Sequence, residues 1–236
     1  MLLILLPPAL LALLLHPEHE CIDQFPCVSA RPDRLCLSRP LPDEHAVPPD
    51  GAHAVQRGGV DDLLINTAWL GEQIPAHFGR AFEGEHGTAM RLHYSPEGQD
   101  FGGALETAGG IVRALPHLAD IFWVAAGDVF APDFEFDAQD MAHFAASTDW
   151  AHLWLVPNPE HHPGGDFGLS DQGLALNLSA EHQGPRYTFS TIALYRRDFF
   201  TRPDAPAPAG NPKGVGVPLA PLLRQAMGRG EVNVDW

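Results

Sequence analysis

Short apolar runs that alternate with helix-like segments dominate the sequence from Gln56 onwards, and this alternation limits the fold more than any other feature. The clearest run, IFWVAAGDVF, is rich in strand-forming residues and ends at a glycine followed by an acid. Further strand-like runs are LLIN, RLHYSPEG, AHLWLVPNP and YTFSTIALY, and GDFGLSDQGLALNL suggests a hairpin. Helical spacing appears in LETAGGIVRALPHL, in residues 134–146 and in PLAPLLRQAM. The pattern predicts an α/β sheet with helices on both faces.

The first 55 residues have a different texture from the rest of the chain. About fourteen apolar residues open it, MLLILLPPALLALLL, and this run is short for a membrane span. No basic residue precedes the run and no small-x-small cleavage site follows it, which disfavours a signal peptide. Prolines then recur too often for helices or inner strands. We therefore expect two parts, an atypical segment over 1–55 that is poorly ordered or not native to the fold, and a domain over 56–236.

The charge balance excludes one class of partner. Thirty acidic and 14 basic residues give a formal net charge of −16, whereas nonspecific nucleic-acid binding needs a basic footprint. A phosphate-bearing ligand would need metal ions, backbone N–H groups or a few well-placed arginines, because Lys213 is the only lysine. The three cysteines all lie before residue 37 and the remainder has none, which favours the cytoplasm.

The segment LETAGGI, residues 105–111, is the first candidate for ligand binding. A helix that starts here after a flexible loop would offer free N–H groups to an anion or a base edge. Thr107 could cap the helix, and Gly109 and Gly110 would let a ligand approach the backbone closely. The alternative is that the glycine pair allows tight packing of helix against sheet, and the local pattern leaves both open.

Asp128, at the end of IFWVAAGDVF, is the second candidate. Open α/β sheets bind ligands at the carboxyl ends of their parallel strands, and a carboxylate there can hold Mg²⁺. The alternative is an ordinary acid where a strand leaves the sheet.

The loop NPEHHPGGDFGL, residues 158–169, is the third candidate. His161 and His162 could act as acid–base groups or ligands. Neighbouring side chains of an extended chain face opposite sides, so the two cannot easily share one site, and solvated loop histidines are the alternative.

Taken in order, the segments LLINTAWLGEQI, YSPEG, LETAGGIVRALPHL, FWVAAGDVF, LVPNPEHHPGGDFGL, YTFSTIALYRRDFF and APLLRQAM resemble the nucleotidyltransferases that activate sugar 1-phosphates. The resemblance spans about Gln56 to Gly230. It is closest to the branch that uses UTP and N-acetylmuramate 1-phosphate, whose members often carry the name mannose-1-phosphate guanylyltransferase.

The resemblance implies a Rossmann-like sheet, a Mg²⁺ cofactor and two substrates, a nucleoside triphosphate, here UTP, and a sugar 1-phosphate. Asp128 would be the metal ligand. The nucleotide would be bound by Ser95, Glu97, Glu106, Thr107, Ala108, Gly109 and Gly110. The sugar would be bound by Gly168, Ser190 and Thr191, the last standing where the family usually has glycine. The implied role is nucleotide-sugar synthesis for cell-wall recycling in the cytoplasm, with no membrane partner.

The N-terminal segment departs from the family pattern. The family begins with a strand and a glycine-rich loop that cradles the triphosphate, followed by a Pro-Lys-Pro segment, whereas no glycine precedes Gly51 and no lysine occurs here. We therefore expect the first strand and phosphate loop to be missing or replaced, through a frameshift, a misassigned start or a decayed copy. A lost core strand would also expose sheet edges and lower stability. Asp235, near the end, does not match the family's second metal ligand.

Three functional hypotheses follow. The first is an active sugar-1-phosphate nucleotidyltransferase, and the second is a non-catalytic relative that keeps nucleotide binding without the phosphate loop and catalytic lysine. The third is a secreted binding protein that uses the apolar start.

Overall fold

The computed structural model describes residues 2–5, 60–83, 89–127, 131, 134–179 and 181–235. Two of the predictions lie outside the described residues: the Mg²⁺ ligand Asp128, and the atypical Pro-rich segment 1–55 except for residues 2–5.

Ten strands and five α-helices make up the described part of the chain. The strands are β1 Leu2–Leu5, β2 Asp62–Thr67, β3 Ala81–Glu83, β4 Ala89–Pro96, β5 Ile121–Ala126, β6 Ala151–Val156, β7 Gly168–Leu169, β8 Ala175–Leu176, β9 Thr188–Arg196 and β10 Val232–Asp235. The helices are α1 Gln73–Phe78, α2 Glu97–Phe101, α3 Glu106–Ala114, α4 Ala138–Ala146 and α5 Leu219–Met227. Two 3₁₀ turns, Leu115–His117 and Arg197–Phe200, follow α3 and β9.

Eight of the strands form one sheet in the order β10-β6-β9-β5-β1-β2-β4-β3. β1, β2, β4 and β5 are parallel, and β9 runs antiparallel between β5 and β6. The strands β7 and β8 form a separate hairpin. This arrangement confirms the predicted α/β class and the predicted hairpin.

The strand β1 corrects the expectation that the first strand of the sheet is missing. Leu2–Leu5 lies between β2 and β5, with Leu3 paired to Leu64 on one side and to Val124 on the other. Leu3 is fully buried. A central parallel strand is covered on both faces and is therefore uniformly apolar. Four residues of the opening run suffice for it, and the length of the whole run had concealed so short a strand.

Two hydrophobic clusters cover the two faces of the sheet. One packs α3 and α5 against the sheet through Ile111, Val112 and Leu223. The other packs the segment before α4, and α4 itself, against Trp123 through Phe136 and Phe144. Complete burial of one such side chain stabilises the fold by about 1.5–3 kcal/mol, so both faces contribute. Helices on both faces agree with the prediction.

The ends of several elements were predicted less well than their existence. Helical spacing was predicted from Phe134, but α4 begins only at Ala138, where the Asp137 side chain caps it by accepting a hydrogen bond from Gln139 N at 2.9 Å. The edge strands β3 and β10 were not predicted, because each has only three or four residues. Within the described ranges no helix is long and apolar enough to cross a membrane.

Replacement of Leu3 by alanine tests the position of β1. The leucine lies at the centre of the sheet, so we expect Leu3→Ala to lower the free energy of unfolding by about 2–5 kcal/mol, measured by urea denaturation. Val215→Ala, at a residue that is 39% exposed, should change it by less than about 0.5 kcal/mol. Equal stabilities of the two variants would contradict a sheet with β1 at its centre.

Candidate functional site

The carboxyl edge of the parallel strands is the candidate site. The chain passes from β1 outwards to β2 and β4, and β5 then returns to the other side of β1. A reversal of this kind makes a crevice at the carboxyl ends of the strands, where such sheets bind ligands. The start of β9 lies at the same edge, because Thr188 pairs with Val156 at the end of β6.

Strained backbone is concentrated at this edge. The described residues include four non-glycine residues with positive φ: Leu70 at 49°, Glu106 at 60°, Thr191 at 66° and Asn211 at 41°. Leu70 follows β2, Glu106 opens α3, Thr191 lies near the start of β9, and Asn211 belongs to a loop that contacts α3. Such conformations cost about 1–3 kcal/mol each and cluster at functional sites. The location of these residues supports the carboxyl edge of the sheet as the candidate functional site.

Glu97 joins three elements beneath this edge. Its side chain is fully buried, Oε1 accepts a hydrogen bond from Asn66 Nδ2 at 3.2 Å, and Oε2 accepts one from Leu105 N at 2.9 Å. The contacts connect the end of β2, the end of β4 and the start of α3. Burial raises the pKa of this carboxyl above its ordinary value. Both of its oxygens face the protein, so the geometry gives Glu97 a positioning role in the site.

The first turn of α3 is held by a loop from the C-terminal part of the chain. Ala108 N and Gly109 N both donate to the carbonyl oxygen of Val217, at 2.9 and 3.1 Å. A Cβ at Gly109 would lie 2.7 Å from Val215 O, and one at Gly110 would lie 2.6 Å from Glu97 Oε1. The structure therefore shows tight packing at the glycine pair, the alternative that the sequence left open, and protein atoms fill the space expected for a ligand.

The predicted cap of α3 is wrong. The N-cap position is Leu105, without a side-chain hydrogen bond, and Thr107 lies inside the first turn. The reason is that the helix starts one residue after Leu105, with the backbone of Val217 occupying the N–H groups that a cap would satisfy. Of the segment 106–110 only Glu106 and Thr107 are exposed to solvent.

Asn211 fastens this loop to α3, and sequence reasoning missed it. Asn211 is fully buried, its Nδ2 donates to Gly109 O at 3.1 Å and to Val215 O at 2.9 Å, and its Oδ1 accepts from Val215 N at 2.9 Å. The available signal was the sequence Gly-Asn-Pro, since asparagine tolerates positive φ and bonds nearby backbone in turns.

Ser95, at the end of β4, is engaged by an arginine of α3. Ser95 Oγ accepts a hydrogen bond from Arg113 Nε at 3.1 Å, and the guanidinium also pairs with Asp100 and lies 4.7 Å from the centre of the Phe101 ring. Ser95 is itself buried. The arrangement fixes the loop after β4 against α3.

A bulge shapes the opposite side of the crevice. The pairing of β6 with β9 shifts between Leu153 and Leu155. Inside the bulge Ser190 Oγ donates to Trp154 O at 2.8 Å and accepts from Ile192 N at 3.2 Å, while Thr191 takes its positive φ. Bulges re-aim the backbone and are frequent next to active sites. The positive φ that the bulge imposes at residue 191 suits glycine better than threonine, because glycine has no Cβ.

The remaining predicted sugar-side residue, Gly168, lies in the β7–β8 hairpin. A Cβ there would lie 2.5 Å from Leu178 Cδ1, and Gly168 is buried. The absence of a side chain at Gly168 therefore leaves room for Leu178 to pack inside the hairpin.

The loop 157–166 is tied to the start of β9 by polar side chains. Asn158 Nδ2 donates to Arg186 O at 2.9 Å, and its Oδ1 accepts from Thr188 Oγ1 at 3.0 Å. Asp166 Oδ2 accepts from Phe189 N at 2.9 Å, and its Oδ1 lies 3.3 Å from His162 Nε2. His161 is exposed, and it is His162 that contacts Asp166.

Metal ions are bound in proteins by sets of ligand side chains that lie close together. Among the described residues no group of three or more His, Cys, Asp or Glu side chains could hold an ion. Asp128 follows Ala126, the last residue of β5, by two positions in the sequence.

An open cleft of about 340 Å³ lies between the loop after β2 and the loop after α2. Trp69, which is 62% exposed, is the largest side chain in its wall. Glu72 is the single charged residue of the lining, which consists of Ala68, Trp69, Leu70, Glu72, Gly98, Gly102, Gly103 and Ala104. Sequence reasoning did not select Trp69, because an isolated exposed aromatic residue leaves no periodic signal.

Solved structures share this arrangement at low sequence identity. A Bacillus anthracis protein provisionally named a glucose-1-phosphate thymidylyltransferase, solved with sucrose, is 16% identical, with a TM-score of 0.53 over 79% of this chain and 72% of its own. HddC from Yersinia pseudotuberculosis is 12% identical, with a TM-score of 0.56 over 99% of this chain and 89% of its own. The fold is thus the Rossmann-like fold of the sugar-1-phosphate nucleotidyltransferases.

Sequence comparison gives the narrower assignment. No protein-family profile matches the chain. The N-acetylmuramate α-1-phosphate uridylyltransferase of Neisseria meningitidis serogroup B is 37% identical over 210 residues, which cover 86% of this chain and 82% of the relative. The chain belongs to the family of that uridylyltransferase.

Substitution of Thr191 tests the strain in the bulge. Thr191→Gly removes a β-branched side chain from positive φ, and removes a buried hydroxyl that has no hydrogen-bond partner among the described residues. Relief of strain outweighs the entropy that glycine costs, so we expect a gain of about 1 kcal/mol in the free energy of unfolding. Thr191→Ala is the matched control, because it removes the hydroxyl but keeps Cβ and the strain. A threonine-to-alanine gain as large as the glycine gain would contradict backbone strain.

Replacement of Glu97 by glutamine tests the buried carboxyl through pH. A raised pKa means that the fold favours the protonated acid, so the wild type loses stability as pH rises from the ordinary glutamate range, about 4.3, to the pKa in the fold, and then levels off. Glu97→Gln should lack this loss. It should also cost about 1–3 kcal/mol, because its amide NH₂ faces a backbone or Asn66 donor.

Urea denaturation between pH 4 and 8 measures both effects. Glu160→Gln removes an exposed carboxylate and controls for the change of one charge. Identical pH profiles for wild type and Glu97→Gln would show that Glu97 does not titrate in this way.

Proposed function

We propose that this chain binds UTP and N-acetylmuramate 1-phosphate at the carboxyl edge and joins them into a nucleotide sugar with release of pyrophosphate. The observation that carries the proposal is the relationship to the meningococcal uridylyltransferase, at 37% identity over most of both chains. The convergence of the strained residues Leu70, Glu106 and Thr191 on one edge supports the location.

In this reaction a phosphate oxygen of the sugar 1-phosphate attacks the α-phosphorus of UTP. The bond from the α-phosphorus to the oxygen that bridges to the β-phosphate breaks, and that oxygen leaves with pyrophosphate. Such phosphoryl transfer depends on positioning and charge neutralisation more than on covalent chemistry by the protein. The two substrates would meet at the ends of β1 and β5, the centre of the crevice.

The residues on each side of this centre would have different tasks. On the side of β2 and β4, exposed Glu106 and Thr107 would contact the nucleotide, and Glu97 would hold their helix in place. On the side of β6 and β9, the bulge at Ser190 and Thr191 would border the sugar, next to the polar loop 157–166. This division rests on the family resemblance and on the order of the strands.

A Mg²⁺ ion belongs to the proposal through Asp128 in the sequence. Bound there, it would neutralise charge on the phosphate oxygens. The formal charge of −16 and the single lysine of the chain support a requirement for a cation. The cytoplasm, where nucleoside triphosphates are available, is the proposed compartment, and cell-wall recycling the proposed context.

One observation favours a second function, nucleotide binding without turnover. Residues 6–50 contain neither glycine nor lysine, so a glycine-rich phosphate loop with a catalytic lysine is absent from the sequence there. Loss of a single charge-stabilising donor can slow such chemistry 100- to 1,000-fold. The base side of the crevice would not be affected by this loss.

Calorimetric titration with UTP and Mg²⁺, paired with an assay of pyrophosphate release, separates these functions. The proposal expects saturable binding of UTP and pyrophosphate release that depends on N-acetylmuramate 1-phosphate. GTP and mannose 1-phosphate serve as matched alternative substrates. Binding without release would support the second function, and no binding of either triphosphate would overturn both.

A further inference from the structure

We propose that Trp69 forms an aromatic wall on which the nucleobase of the donor stacks, in the cleft between the loop after β2 and the loop after α2. The inference rests on the proposed function, since it names the subsite that the base of UTP occupies. It also gives a reason for the exposure of Trp69, a large apolar side chain that does not pack in the core.

The exposure of Trp69 is the first reason. It is 62% exposed, whereas Trp123, in β5, is almost completely buried. An indole ring left in water forgoes much of the stabilisation that its burial would give. The ring is therefore available for a ligand, and it stands in the wall of a cleft.

The loop that carries Trp69 is ordered around it, which is the second reason. Leu70, the next residue, has a φ of 49°, a conformation that is costly for a leucine. Leu70 O accepts a hydrogen bond from Gln73 N at 3.0 Å, and a Cβ at Gly71 would lie 2.9 Å from Thr67 Cβ. These contacts hold the loop, so the ring is presented from a fixed backbone.

Glycines keep the facing side of the cleft open. The two loops touch at Gly98, where a Cβ would lie 2.0 Å from Ala68 O. At Gly102 and Gly103, which line the cleft together with Trp69, a Cβ would meet nothing within 4 Å. The cleft therefore has free space bordered by an aromatic side chain and by bare backbone, which suits a planar base.

The acidic, lysine- and arginine-free lining of the cleft limits which part of the substrate can bind there. Its lining contains no basic side chain, and its one charged residue, Glu72, is acidic. Phosphates are therefore disfavoured, and the occupant should be an uncharged ring. The polar side chains Asn158, Asp166 and Ser190 lie on the far side of β1, where the proposed function places the hydroxyl-rich sugar. The cleft beside β2 and β4 is left for the base.

Binding of UMP and of UTP with Mg²⁺ to Trp69 variants of the full chain tests the inference. Stacking of a base on an aromatic side chain is worth about 1–3 kcal/mol, so Trp69→Ala should raise the Kd for UMP about 5- to 150-fold. Trp69→Phe keeps an aromatic face and should raise it less than about 5-fold. Gln225→Ala, an exposed residue of α5, is the control, and the thermal unfolding of each variant checks the fold.

Tryptophan fluorescence gives a second readout that a purely structural role would not change. UMP should quench the emission of the wild type, and Trp69→Phe should lose most of this quenching while it still binds UMP. An unchanged Kd for UMP in Trp69→Ala would overturn the inference and leave the proposed function standing. A loss of affinity for N-acetylmuramate 1-phosphate instead would assign the cleft to the sugar and also overturn it. A wild type that binds neither nucleotide would overturn the proposed function itself.

Discussion

The buried carboxylate of Glu97 is the interaction on which the architecture of the crevice depends. One side chain accepts hydrogen bonds from Asn66 at the end of β2 and from the backbone at the start of α3, and it begins α2 itself. Gly110 packs against the same carboxyl group. This close approach is possible because glycine has no Cβ, which would collide with Oε1 of Glu97. Burial of an acid that accepts from two donors costs free energy, and here this acid joins three elements at the candidate site.

The loop that contains Asn211 and Val217 fixes the start of α3, which Glu97 also contacts. Val217 O accepts from N–H groups of the first turn of α3 that would otherwise need a cap or a ligand, and Asn211 Nδ2 fastens the same loop to the helix by donating to Gly109 O. The helix N-terminus is therefore less open to an anion than its sequence implied, and exposed Glu106 and Thr107 are what it offers. The positive φ of Glu106 and of Asn211 are the strained points where helix and loop are fitted together. Burial of apolar side chains on both faces of the sheet offsets the cost of this local strain.

Sequence predicted the elements whose physics is local and periodic, and missed those decided by tertiary contacts. The run Ile121–Ala126 could be identified because a strand buried on both faces is uniformly apolar. The four residues of β1 could not, because their pairing with β2 and β5 is a long-range fact hidden in a longer apolar run. The glycine pair of α3 allowed two explanations until the positions of Val215 and Glu97 distinguished them. Trp69 could not be selected from the sequence, because a single exposed aromatic residue has no periodic pattern around it. Only the tertiary structure shows that it lines a cleft.

The distribution of positive charge constrains how a triphosphate can be held. Arg113 is committed to Ser95 and Asp100, and Arg202 to Glu231. Three more arginines donate to backbone carbonyls, Arg186 to residues 178 and 179, Arg196 to residues around the end of α4, and Arg197 to residues 115 and 118. These five side chains brace loops and cannot leave to neutralise phosphates without exposing carbonyls and carboxylates. Charge on a bound triphosphate would then have to be met by a cation, by backbone N–H groups or by basic side chains other than these five. In the proposed reaction the cation would therefore contribute directly to nucleotide affinity.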